Sequence, residues 1–101
     1  MKIGLIKEIK ENEHRVAITP NGVRDLVDRG HSVCVTFEAG VGSGYSDDDY
    51  ISAGATICHD FYAWDSDLVV KVKEPQVEEY KYFNGQILFT YLHLAGVDKE
   101  L

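Results

Sequence analysis

Residues 19–37, TPNGVRDLVDRGHSVCVTF, carry a helix start, a helix stop and an unbroken apolar run in direct succession. Thr19 is an N-cap type and Pro20 suits the first helical position, where its missing N–H costs nothing. Val23, Leu26 and Val27 recur at helical spacing, and Gly30 supplies the C-terminal stop. The run at 32–37 is then rich in β-branched residues and reads as a strand. A helix feeding an apolar strand in this way is the unit of a parallel sheet covered on both faces.

Working outward, the same alternation continues. Residues 2–6 form a short apolar first strand bounded by charge. Ser46, followed by Asp47, Asp48 and Asp49, caps a second short helix that Gly54 ends, with carboxylates at its positive pole. Residues 56–58, 68–72 and 86–92 read as strands three, four and five, and 76–82 as a short helix entered through Pro75. The expected fold class is α/β: an open, mostly parallel five-stranded sheet with helices on both faces, in a flavodoxin-like (Rossmann-like) topology. Residues 1–101 are expected to form a single domain, because the chain has no linker or repeat and its 101 residues leave no room for a second, dinucleotide-binding unit.

Composition narrows the function classes. Hydrophobic residues make up 45% and charged residues 27%, an ordinary globular balance. Seventeen acidic against ten basic side chains give a net charge of −7, the opposite of what phosphate-backbone binding requires, so no nucleic-acid partner is expected. All three arginines lie in the first thirty residues, and no Lys or Arg occurs from 37 to 70. The longest nearly apolar stretch, 87–97, is far short of a membrane span, and a cytoplasmic location is expected without a membrane partner. Cys34 and Cys58 have neither CxxC nor metal-cluster spacing, so no metal is expected; buried free thiols are, which suits a reducing compartment.

In open parallel sheets, ligands gather at the carboxyl ends of the strands. Three segments lead there: residues 7–18 with Arg15, residues 71–75 with Lys73, and residues 91–93 with His93. The first is longer than the roughly two to six residues usual for such a connection. Arg15 can grip a carboxylate bidentately, Lys73 can polarise a carbonyl oxygen, and His93 can move a proton near neutrality. Together they suit a small 2-oxo or 2-amino acid. His14, His31 and His59 are expected to be structural. The GVGSG stretch at 40–44 looks like a nucleotide-binding loop but has the wrong spacing, follows the second strand, and leads into three aspartates; it is expected to be a glycine turn.

The segments GLIKE (4–8), NEHRVAITP (12–20), GV (22–23), RG (29–30), EAG (38–40), AGA (53–55), KVKEP (71–75) and LHLA (92–95) resemble the N-terminal signature of alanine dehydrogenases and proton-translocating nicotinamide nucleotide transhydrogenases. KVKEP and LHLA are more similar to the alanine dehydrogenase branch. The resemblance implies NAD-dependent, reversible oxidative deamination of L-alanine to pyruvate and ammonium. It implies substrate-binding roles for Arg15 and Lys73, and a catalytic acid/base role for His93. It also implies that NAD is bound mainly by a domain beyond Leu101, together with a further catalytic aspartate, and that the full-length enzyme is a homo-oligomer acting on alanine and pyruvate. Two departures are Ile6, where the signature has proline, and a shortened stretch around 59–65. The competing expectations are a non-catalytic α/β interaction module and part of a transhydrogenase-like nucleotide-binding subunit.

Overall fold

The computed structural model describes residues 1–91. The elements run β1 (Lys2–Leu5), α1 (Pro20–Asp28), β2 (Ser32–Thr36), a 3₁₀ turn (Val41–Ser43), α2 (Asp47–Ser52), β3 (Thr56–Cys58), α3 (Asp60–Trp64), β4 (Leu68–Lys71), a second 3₁₀ stretch (Val77–Tyr82) and β5 (Ile87–Thr90). All four strand pairings are parallel, in the order β3-β2-β1-β4-β5. This is the open α/β sheet that the alternation predicts. Of the two named arrangements it takes the Rossmann-like one, with β3 outside β2 rather than between β1 and β4.

The local signals act as their chemistry dictates. The Thr19 side chain accepts from the Gly22 amide, and Pro20 opens α1. At the far end Gly30 adopts φ 93°, and the amides of Gly30 and His31 bond back to Val27 and Leu26, a Schellman closure. Ser46 and Asp49 form a reciprocal capping box on α2.

Alternation along the strands distributes the core between two faces. Ile3, Leu5, Val33, Val35 and Val70 meet Val23 of α1, Tyr50 of α2 and Ala53 just after it on one side. Cys34, Val69 and Ile6 meet Ala63 and Trp64 of α3 on the other. The sequence pattern does not reveal α3. It has five residues, too few for an apolar period to register, and no side-chain cap. Its position depends on Gly4 in β1, where any Cβ would run into the Ala63 carbonyl. The expected helix at 76–82 is the 3₁₀ stretch, and the fifth strand spans Ile87–Thr90.

The cysteines correct the free-thiol expectation. Parallel pairing sets Cys34 opposite Thr56 and Thr36 opposite Cys58, so the two cysteines are diagonal neighbours on adjacent strands. Their Cα atoms lie 6.3 Å apart, within bridging range, and the sulfurs are joined in a disulfide. Spacing along the chain cannot foretell a pairing that register creates. Among the described residues, no helix is long and apolar enough to cross a membrane.

Candidate functional site

The loops leaving β1 and β4 meet at the carboxyl edge of the sheet because those strands are neighbours, with Leu5 opposite Val70. Between the loops lies an open cleft of about 510 Å³ lined by residues 10–15 and Lys73. Arg15 and Lys73, singled out separately in the sequence, thus face one space. His93 lies outside the described residues.

What brings the two cations together is a carboxylate that sequence reasoning left among the loop's neighbours. Glu13 Oε2 accepts from the Arg15 backbone amide at 2.9 Å and from its Nε at 3.0 Å, while Oε1 accepts from Nη2 at 2.9 Å. The same Oε1 lies 3.9 Å from Lys73 Nζ. The Glu13 side chain is only 6% exposed, whereas that of Arg15 is 64% exposed, so the guanidinium reaches from a buried anchor into the cleft. The Arg15 side-chain hydrogen bonds, helped by its amide and by the charges of Arg15 and Lys73, hold the Glu13 carboxyl down at about 2 against the opposing effect of burial.

The β4 side is built on a second carboxylate. Glu8 Oε1 accepts from Lys71 Nζ at 2.8 Å and from the Lys73 amide at 3.1 Å, and Oε2 accepts from the Val72 amide at 2.9 Å. Lys71 Nζ also donates to the Lys73 carbonyl at 2.9 Å and approaches Glu79 at 3.6 Å. Both peptide groups around Lys73 are therefore held by a buried ion pair. Burial pushes the Glu79 carboxyl up, against hydrogen bonding from Gln76 and the charge of Lys71. Nearer the solvent, Lys10 pairs with Glu74 and ties the two loops together across the cleft. That bond is also the first cause holding the Glu74 carboxyl below its ordinary range.

Glu8 and Lys71 stand in the segments GLIKE and KVKEP, but nothing in the sequence pairs them with each other or with Glu79. The one available hint was KVKEP, whose two lysines stand two residues apart at a strand end, so that one ends the strand and the other begins the loop. Of the other histidines, His14 lines the cleft beside Arg15, whereas His31 and His59 do not. The His59 ring packs on Phe37 at 5.0 Å, and Nδ1 of His31 is buried without a hydrogen-bond partner among the described residues.

The glycine turn at 40–44 does not offer a pyrophosphate cradle. The amides of Val41, Ser43, Gly44 and Tyr45 are all spent on carbonyls of residues 38–41. The helix that follows opens on three aspartates, which would repel phosphate. The residues there do not fit a dinucleotide. What the cleft can do is hold a small carboxylate beside a second cation.

Comparison with known proteins bears on which molecule that is. A model of the family described as alanine dehydrogenase/PNT, N-terminal domain, matches residues 4–101. The chain is 56% identical over 101 residues to the alanine dehydrogenase of Staphylococcus haemolyticus, covering 98% of this chain and 27% of the relative. It is 57% identical over 98 residues to that of Bacillus subtilis, covering 95% and 26%. The chain thus spans about a quarter of the length of these curated relatives. Among solved structures, an L-alanine dehydrogenase superposes with a TM-score of 0.89 at 48% identity, over 98% of this chain and 28% of the other. A transhydrogenase from Sinorhizobium meliloti gives 0.87 at 29% identity, over 98% and 30%.

Proposed function

The chain belongs to the alanine dehydrogenase/PNT N-terminal domain family, and from that premise we propose that it supplies the substrate-holding part of an NAD-dependent L-alanine dehydrogenase. The whole reaction would convert L-alanine, NAD and water to pyruvate, ammonium and NADH with release of a proton, reversibly. Arg15 would hold the substrate carboxylate through the guanidinium that Glu13 orients. Lys73 would donate to the 2-oxo oxygen of pyruvate and stabilise negative charge growing on it. His93 would take and return the proton at the reacting centre.

NAD would be bound mainly by a domain outside residues 1–101, which agrees with the poor fit of the glycine turn to a dinucleotide. A homo-oligomer of the full-length protein in the cytoplasm belongs to the same proposal. The transhydrogenase alternative is disfavoured by the lower identity, 29% against 48% among the solved structures. One observation carries the reading: Arg15 and Lys73 converge on Glu13 at the carboxyl edge of the sheet.

Calorimetric titration of the chain with pyruvate tests it. Arg15→Ala and Lys73→Ala should each weaken binding about tenfold or more, the size of a lost charge-assisted hydrogen bond. Pyruvate binding that neither substitution disturbs would overturn the assignment of the site. Incubated with L-alanine and NAD, the chain should yield no NADH; turnover would overturn the division of labour between domains.

A further inference from the structure

We propose that Ser43, in the glycine turn at 40–44, is a positioning residue for Arg15, an inference that rests on the reading of Arg15 as the carboxylate-holding group. The loop between β1 and α1 has no regular secondary structure, so its peptide groups depend on partners from elsewhere in the chain. Partners come from the end of β2, from the turn at 40–44 and from α2, and the Tyr91 hydroxyl donates to the Ala17 carbonyl at 3.1 Å. Thr36 Oγ1 accepts from the Lys7 amide at 2.8 Å at the start of the loop, and the Tyr50 hydroxyl donates to the Ile18 carbonyl at 2.7 Å at its end.

Between those clamps, a single hydroxyl brackets the residue that matters. Ser43 Oγ accepts from the Val16 amide at 3.1 Å and donates to the His14 carbonyl at 3.4 Å, so it bonds the peptide groups on either side of Arg15. Beside it, Gly42 lies so close that a Cβ would overlap the His14 carbonyl oxygen. Glycine at 42 lets the turn approach, and serine at 43 makes the bonds that the approach permits. Glu13 then fixes the guanidinium relative to a backbone that Ser43 has already set. The glycine stretch has the look of a phosphate loop, and its geometry assigns it to the loop opposite.

The test measures pyruvate affinity for the wild-type chain and for Ser43→Ala, Ser43→Thr, Arg15→Ala and the Arg15→Ala/Ser43→Ala pair, with thermal midpoints as a control. Loss of the bracket should weaken binding about threefold to tenfold in Ser43→Ala, the range of an ordinary hydrogen bond. Ser43→Thr keeps the hydroxyl and should stay within about twofold of wild type, and the double variant should match Arg15→Ala alone to the same tolerance. Unchanged affinity in Ser43→Ala overturns the proposal. So does a double variant weakened further by the full Ser43→Ala factor, because Ser43 would then act independently of Arg15.

A readout without ligand separates this inference from the substrate reading. The Arg15 Nε–H resonance should be protected in wild type and Ser43→Thr, and lost to exchange in Ser43→Ala. If pyruvate fails to bind wild type while this signal follows the hydroxyl, the substrate reading falls and the positioning of Arg15 stands. An Nε–H signal indifferent to Ser43 overturns the positioning.

Discussion

Lys73 follows a strand end whose ionic contacts are dry, whereas Arg15 projects from a loop whose contacts lie at the surface. On the β4 bank, the Lys71 and Glu8 side chains are 0% and 1% exposed, and every oxygen of the Glu8 carboxylate has a partner. On the β1 bank, Glu13 is buried but the guanidinium it holds is mostly in solvent, and an exposed hydroxyl, that of Ser43, bonds the peptide groups on either side of Arg15. A charge pair in the interior is rigid because breaking it leaves an unpaired charge away from water. A surface pair yields cheaply. The two cations are thus held by unlike means. The β4 bank presents Lys73 from a dry, fully paired frame, and the β1 bank presents Arg15 from a buried carboxylate into solvent.

Substitutions can break that contrast. The largest effect should come from Glu8→Ala, which takes the nearer carboxylate from buried Lys71 and leaves the Val72 and Lys73 amides without their acceptor; removing one partner of a buried pair typically costs about 3–5 kcal/mol. Urea unfolding checks it, and a loss near zero would mean that the buried pair holds nothing.

Acid should act on the β1 bank through Glu13. Glu13 is held at about 2, below its ordinary 4.5, so its contribution to stability is present above roughly pH 4.5 and is lost as pH falls toward 2. The stability gap between wild type and Glu13→Gln should therefore close over that interval. A gap independent of pH would show that the Arg15–Glu13 bonds do not stabilise the loop.

Thr19→Ala removes the cap where the β1 loop enters α1 and should cost about 1 kcal/mol by the same unfolding measurement. A full-strength cap effect on Lys73 as well as Arg15 in amide exchange would blur the division between the banks.

The smallest effect is expected for Glu79→Gln. Burial raises this carboxyl, so its contribution falls away as pH rises through its folded pKa, and Gln keeps an acceptor for the Gln76 amide while dropping the charge. The expected change is about 1 kcal/mol or less, because Lys71 retains Glu8. A loss as large as that of Glu8→Ala would mean that the two carboxylates share the buried lysine equally.

The contrast between banks also marks what could be read from the chain. Thr19, Pro20, Ser46 and Gly30 act on their immediate neighbours, so helix starts and stops were legible, and so was the α/β alternation they punctuate. Arg15 and Lys73 were legible as candidates because each lies in a segment that a parallel sheet sends to its carboxyl edge. Their companions were not. Glu8 meets Lys71 across 63 residues and Glu13 meets Lys73 only because β1 lies beside β4, so their roles depend on register. The disulfide was hidden for the same reason, being set by the pairing of β2 with β3. Helix α3 was hidden because a five-residue helix without a side-chain cap is fixed by what it packs on, here the bare backbone of Gly4. The third candidate, His93, lies outside the described residues.

A pyruvate titration followed by amide chemical shifts decides whether the two banks form one site for a small 2-oxo acid. Arg15 and Lys73 should shift together along one curve with a single dissociation constant, while the amides of β3, at the far edge of the sheet, stay still. Unmoved signals at both residues in the folded chain, or two different constants for them, would mean that the two banks do not share a site for pyruvate.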